Sequence, residues 1–216
     1  MILMAGFIQG LTSFGFALVS MPLLTLWLPL QETVPLVVML SVITNIAILA
    51  GAYKDAAVRK IWVLVLSSIA AAPLGAWLLL VVDASVLKVA TGLLVLAYSA
   101  LLLTGKSFPV RNERFAFVPV GIASGLLNGS ISMSGPPVAL FLSGQGTGKA
   151  AFRANLTAYA AILNIITIVS FSQGGLLNGN VMSVFGWTVP VLLAGVWLGI
   201  KAVRRLNRFS VAVLHL

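Results

Sequence analysis

The sequence predicts an all-α polytopic membrane protein made of two inverted repeats, each a broken, re-entrant helical hairpin followed by three transmembrane helices. Three observations carry this reading. Hydrophobic residues make up 60% of the chain and charged residues 8%, a balance that soluble globular domains do not have. Gly6, Gly10 and Pro22 recur as Gly121, Gly125 and Pro137 at one offset of 115 residues, so the chain is written twice. The loops that this repeat makes equivalent carry opposite charge, which a simple tandem copy would not.

Composition excludes several function classes. Apolar runs over residues 33–52, 61–82 and 86–104 approach or exceed the ~20 residues that cross a bilayer. The net charge of +9 is not a nucleic-acid signal, because the basic residues lie in short loops between spans, as membrane insertion requires. The chain has no cysteine and one histidine, His215, which leaves no disulfide, thiolate metal site or conventional base. No cofactor, metal or catalytic residue is expected, nor is a cleavable signal peptide or a separate soluble domain.

The elements follow in order. Residues 1–12 read as a short helix, 13–21 as a break and 22–29 as a second short helix. Three spans follow at 33–52, 61–82 and 86–104, then a polar loop at 106–114. The pattern restarts with a short helix at 115–127, a break at 128–135 and a short helix at 136–143. Spans at 154–171 and 181–200 come next, and residues 207–216 begin a last one that is short in the chain as given. Asn45 matches Asn164 at an offset of 119, and Gly75-Ala76-Trp77-Leu78 matches Gly195-Val196-Trp197-Leu198 at 120. The drift reads as a small insertion around residues 144–151. The first repeat is thus 1–104, a cytoplasmic loop 105–115, and the second repeat 116–216, in one integrated membrane domain.

Charge decides between kinked and re-entrant breaks. If each broken segment crossed the bilayer once, Lys54, Arg59, Lys60, Lys106, Arg111 and Arg114 would lie on one side. Lys88, Lys149, Arg153, Lys201, Arg204, Arg205 and Arg208 would lie on the other, six against seven. If each is a hairpin that leaves on the face it entered, twelve of these residues fall inside and only Lys88 outside. The positive-inside rule selects the hairpins, and a hairpin plus three spans is an odd unit whose repetition inverts it. Arms of about ten residues reach ~15 Å, half the hydrocarbon core, so the two breaks should meet near the membrane centre.

Non-helical backbone at that depth must be buried in protein or line a wet cavity. The first break offers Ser13, Phe14, Gly15 and Ser20. The second offers Asn128, Gly129, Ser130, Ser132, Ser134 and Gly135. Hydroxyls and amides supply donors without charge, and each break leads into a short helix whose N-terminus favours an anion. The matched Asn45 and Asn164 need partners in lipid and are assigned to the same site, with Gln9 a weaker candidate. Arg153 and Lys149 would stand at the cytoplasmic mouth, attracting an anion or simply obeying the positive-inside rule. The glycine pairs Gly6/Gly10 and Gly121/Gly125 read as helix-packing positions. Trp27, Trp62, Trp77 and Trp197 read as interface anchors. Glu32, Asp55, Asp83 and Glu113 all lie in or beside loops, so no carboxylate is available within a span for ion coupling.

The segments GFIQGLTSFGFALVSMPLL and GIASGLLNGSISMSGPPVALFL, one opening each half, resemble the sulfite exporter family of the TauE/SafE type, as does GTGKAAFRANLTAYAAILNI after the second. The resemblance covers most of the chain. It implies export or uptake of small sulfur-containing anions such as sulfite and organosulfonates. The combined expectation is a multi-pass transporter in a bacterial or archaeal inner membrane. It would work by alternating access around a mid-membrane anion site between the repeats. Its partners would be the small anion, the lipid bilayer and a second copy in a homodimer, with no nucleic acid. A selective small-anion channel and a non-transport intramembrane enzyme or assembly factor stay open as alternatives at this point.

Overall fold

The computed structural model describes residues 1–104, 113–145 and 148–213. They form α1 (Ile2–Thr12), α2 (Phe16–Leu24), α3 (Leu30–Ala52), a 3₁₀ turn (Tyr53–Asp55), α4 (Val58–Val81), α5 (Ala84–Leu103), α6 (Glu113–Ile131), α7 (Gly135–Ser143), α8 (Lys149–Gln173) and α9 (Gly179–Val213). Among the described residues there is no strand. The helices α3, α4, α5, α8 and α9 each contain a stretch long and apolar enough to cross a membrane, and the chain is a multi-pass membrane protein.

Both breaks are shorter than the sequence suggests. The first is only Ser13–Gly15. Ser13 and Gly15 have positive φ, 66° and 104°, and turn the chain within three residues. The helix resumes at Phe16, so Ser20, Met21 and Pro22 lie inside α2 and Pro22 is its seventh residue, not part of its first turn. In the second half α6 continues to Ile131. Ser132, with φ 59°, ends it, donating its N–H to Asn128 O at 2.9 Å. Asn128, Gly129 and Ser130 therefore belong to the last turns of α6. The reason is common to both halves: backbone N–H and C=O groups in a membrane interior must find partners, and continuing the helix supplies them.

Two further expectations are corrected. α9 runs unbroken from Gly179 to Val213, so residues 207–213 continue that helix and do not begin a separate span; residues 214–216, including His215, lie outside the described residues, as does the loop holding Lys106 and Arg111. No glycine or proline interrupts residues 200–213, so nothing local stops the helix. The arms are also unequal. α1 has 11 residues and α6 has 19, about 28 Å, nearly twice the expected arm.

Packing pairs α1 with α9 and α6 with α4, each running parallel, with α3 and α8 side by side between them. Glycines set these seams. A Cβ on Gly10 would stand 2.6 Å from Val196 O and 3.0 Å from Gly199 Cα. Gly125 and Gly129 meet the α4 backbone at Ser68 and Ala72 just as closely. Lipid supplies no hydrophobic drive between helices, so close backbone approach through small residues is what holds such pairs.

α3 and α8 run antiparallel. Asn155, near the start of α8, accepts from Ala57 N–H just beyond the end of α3, at 2.7 Å. At the opposite end Asn180, in the first turn of α9 after the short connection from α8, donates to Glu32 in the first turn of α3, at 2.6 Å. These bonds define an Asp55 end and a Glu32 end of the bundle. α5 lies at the edge, packed on α2 and α6, with Val89, Leu93 and Leu96 exposed as a lipid-facing helix would have them. Its first turn is capped by Asp83, which accepts from Ser85 N–H at 2.7 Å; that bond holds the Asp83 carboxyl below its usual pKa.

Candidate functional site

The two breaks meet at a cavity of about 50 Å³ between α3 and α8. Its wall takes Ser13, Phe14 and Gly15 from the first break and Ser132, Ser134 and Gly135 from the second. Asn45, Asn128, Asn164 and the weaker candidate Gln9 complete the set of expected residues that reach it. Asn45 and Asn164 sit near the middle of α3 and α8 and are 2% and 3% exposed.

Each asparagine is held by a polar relay whose direction is fixed by the backbone. Phe16 N–H must donate, and it donates to Gln9 Oε1 at 2.9 Å. Gln9 Nε2 therefore faces Asn45 and donates to its Oδ1 at 3.1 Å. The Asn45 NH₂ group is left uncommitted. In the second half Thr167 spends its hydroxyl proton on Leu163 O at 2.9 Å, so its oxygen must accept from Asn128 Nδ2, at 2.9 Å. The other Asn128 proton goes to Asn164 Oδ1 at 2.9 Å, and the Asn164 NH₂ is again left free. Both relays thus turn a neutral donor pair toward one small chamber.

The members correspond at one offset. Gln9 and Asn128, Ser13 and Ser132, and Asn45 and Asn164 are each 119 residues apart. Through these three pairs the shift from 115 to 119 falls within α6, before the second break, and sets Pro22 opposite Phe141 in place of Pro137. It amounts to four residues, one helical turn. Gly10 precedes Ser13 by three positions and Gly125 precedes Ser132 by seven.

Serine hydroxyls add donors. Among the described residues no group bonds Ser41 Oγ, Ser132 Oγ or Ser134 Oγ, and all three serines are buried on the cavity wall. Behind the second break Tyr159 OH donates to Ser124 Oγ at 2.7 Å and lies 2.6 Å from Ser68 Oγ. Ser124 in turn donates to Ser134 O at 2.8 Å. This chain of hydroxyls satisfies the break's own carbonyl, an acceptor that would otherwise repel an anion.

Not every expected residue arrives. Ser20 Oγ donates to Phe16 O at 2.6 Å on α2, and Ser130 Oγ to Leu126 O at 2.7 Å within α6; both are serines turned back on their own helix. Gly129 packs against Ala72 and Gly75 of α4. Lys149, the first residue of α8, is exposed and lines neither cavity. Arg153 does line one, a wider cavity of about 460 Å³ at the Asp55 end. Its Nε donates to Ser13 Oγ at 2.7 Å. Ser41, Tyr159 and Thr167 reach the site or its support without a strong sequence signal. Ser41 stands one helical turn before Asn45, and only that spacing could have pointed to it.

A bundle of membrane-crossing helices around a small chamber that holds buried polar groups, with a wider cavity at one end, has the architecture of a membrane transporter. The chain belongs to the sulfite exporter TauE/SafE family, whose model matches residues 1–215. No curated protein and no solved structure matches it. The family is one of membrane anion exporters, and the chain is a multi-pass member of it.

Proposed function

We propose that the chain moves a small sulfur oxyanion of sulfite's size across a bacterial or archaeal inner membrane by alternating access, with the site between two inverted repeats. The observation that carries this is the polar part of the cavity wall: two oriented asparagine amides and three uncommitted serine hydroxyls, all neutral donors set among apolar side chains, with no carboxylate among the described residues. Donors without a full charge bind an anion while letting it leave. A water needs about 10–15 Å³ of such space, so about 50 Å³ suits an anion of roughly four heavy atoms better than a bulky organosulfonate.

Three features support the inverted arrangement. α3 and α8 are antiparallel. The packing is exchanged, α1 on α9 and α6 on α4. The 119-residue correspondence joins Gln9 to Asn128 and Ser13 to Ser132. In this reading the Asp55 end is cytoplasmic. The test is sulfite counterflow in reconstituted vesicles. Saturable exchange, accelerated by sulfite on the far side, is expected. Flux that rises linearly with concentration and shows no exchange would favour a channel and refute alternating access.

A further inference from the structure

Arg153 lines the wide cavity and latches the residue that separates it from the central one. Ser13 lines both the central cavity and the wide one at the Asp55 end, so the residue that ends α1 is their partition. Arg153 holds that partition, with Nε on Ser13 Oγ at 2.7 Å and a terminal nitrogen near Gly10 O at 3.4 Å. Both acceptors are neutral. A guanidinium has five N–H donors and is permanently charged, and one half withdrawn from water calls for an anion. Among the described residues no carboxylate pairs with Arg153, although Asp55 lines the same cavity.

We propose that Arg153 forms a second anion station, in the wide cavity, and that an oxyanion bound there displaces Ser13 from the guanidinium and so opens the partition to the central cavity. An oxyanion adds to the hydrogen bond a charge–charge attraction and a bidentate geometry that the neutral Ser13 hydroxyl lacks, so the exchange runs toward the anion. The released segment is a tight turn of three residues, held otherwise by Gln9, Thr12 and Tyr98. Phe14 lies between two positive-φ residues, Ser13 at 66° and Gly15 at 104°, and a Cβ on Gly15 would meet nothing closer than 3.6 Å. The station takes small oxyanions and rejects cations, because Arg153 brings a positive charge to the partition. The role of the displacement in transport rests on the proposed function; the station itself does not.

The absence of cysteine allows a test that does not depend on transport. Ala47, on α3, lines the wide cavity and is replaced by cysteine in the full chain in vesicles. With Arg153 present, an anionic thiosulfonate should label Ala47→Cys about tenfold faster than a cationic one, and inorganic sulfate should slow it. Arg153→Gln should erase both effects, and Arg153→Lys should keep the preference while weakening the sulfate protection. Preference and protection that persist in Arg153→Gln would overturn the proposal. Should that variant not fold, Ser13→Ala answers instead: it unlatches the guanidinium, so protection by sulfate should tighten, and unchanged or weaker protection overturns the station. Sulfite counterflow in the same vesicles separates the two readings. Arg153→Gln should raise half-saturation about tenfold at the Asp55 face and change the other face by less than about twofold. Labelling as expected without transport by the unsubstituted chain would leave the station standing and remove the transport reading. Transport with unaltered labelling would do the reverse.

Discussion

Replacing Asn164 with aspartate changes one atom's charge and leaves the relay behind it in place. Asn128 Nδ2 would still donate to the retained oxygen, now at 2.9 Å, so α6 and α8 stay joined. The free NH₂ facing the cavity becomes a carboxylate oxygen. A bound anion would make its contact there at about 3 Å, with charge centres ~4 Å apart. At an effective dielectric constant of about 20 the repulsion is ~4 kcal/mol, and the lost hydrogen bond adds about 1–3 kcal/mol. At 1.4 kcal/mol per decade, half-saturation should rise by about a thousandfold or more, so that sulfite counterflow at neutral pH is lost. The sign with pH is opposite to simple damage. In acid the side chain protonates, donates a hydrogen bond and restores part of the flux, relative to the unsubstituted chain at the same pH. Asn164→Leu, which removes the donor without adding charge, should cost about 10- to 100-fold and show no acid recovery. A folded Asn164→Asp protein with neutral-pH half-saturation within about threefold of the parent would refute the assignment of this cavity as the anion site.

Other outcomes are expected. Asn45→Asp should repeat this behaviour, because its NH₂ is freed by an equivalent relay through Gln9. Gly10→Val should wedge α1 from α9, since even a Cβ would stand 2.6 Å from Val196 O. The cost is about 1–3 kcal/mol or more, read as a lowered thermal midpoint in detergent, while Gly92→Ala, whose Cβ would meet nothing within 4 Å, should leave it unmoved. Tyr159→Phe should cost about 1–2 kcal/mol by unlinking Ser124 and Ser68 and reduce transport through the second break; an unchanged midpoint and flux would refute a structural role for the hydroxyl chain. A cysteine at Gly179, where the added side chain is unhindered, should label from outside and one at Asp55 from the cytoplasm. Labelling of both from one side would refute the proposed topology.

Much of this protein is legible in its sequence because membranes impose one-dimensional constraints. The spans of α3, α4, α5 and α8 follow from apolar length, since 20 uncharged residues have little alternative in lipid. The two polar breaks follow from serine and glycine clusters in otherwise apolar stretches. Break boundaries were less legible. Pro22 suggests a helix start, but backbone satisfaction extends α2 back to Phe16, and the same demand carries α6 through Asn128, Gly129 and Ser130. The last helix misled for a related reason: the cluster Arg204, Arg205 and Arg208 reads as a loop by charge, yet basic residues are good helix formers and α9 continues through them.

By itself the sequence determined that the chain is a helical membrane protein, that residues of its first half recur in its second at fixed offsets, and that uncharged donors concentrate at two points. Composition and spacing carry these because each depends on neighbours along the chain. Only the tertiary structure decided which donors are free. Ser130 and Ser132 are two residues apart, yet one is spent on its own helix and the other faces the cavity. Asn45 and Asn164 present NH₂ groups only because Phe16 N–H and the Thr167 hydroxyl orient the relays behind them. Arg153 reaches Ser13 across 140 residues. Which partner a polar group finds is a three-dimensional fact, and here it distinguishes a donor spent on the fold from one left uncommitted at the cavity.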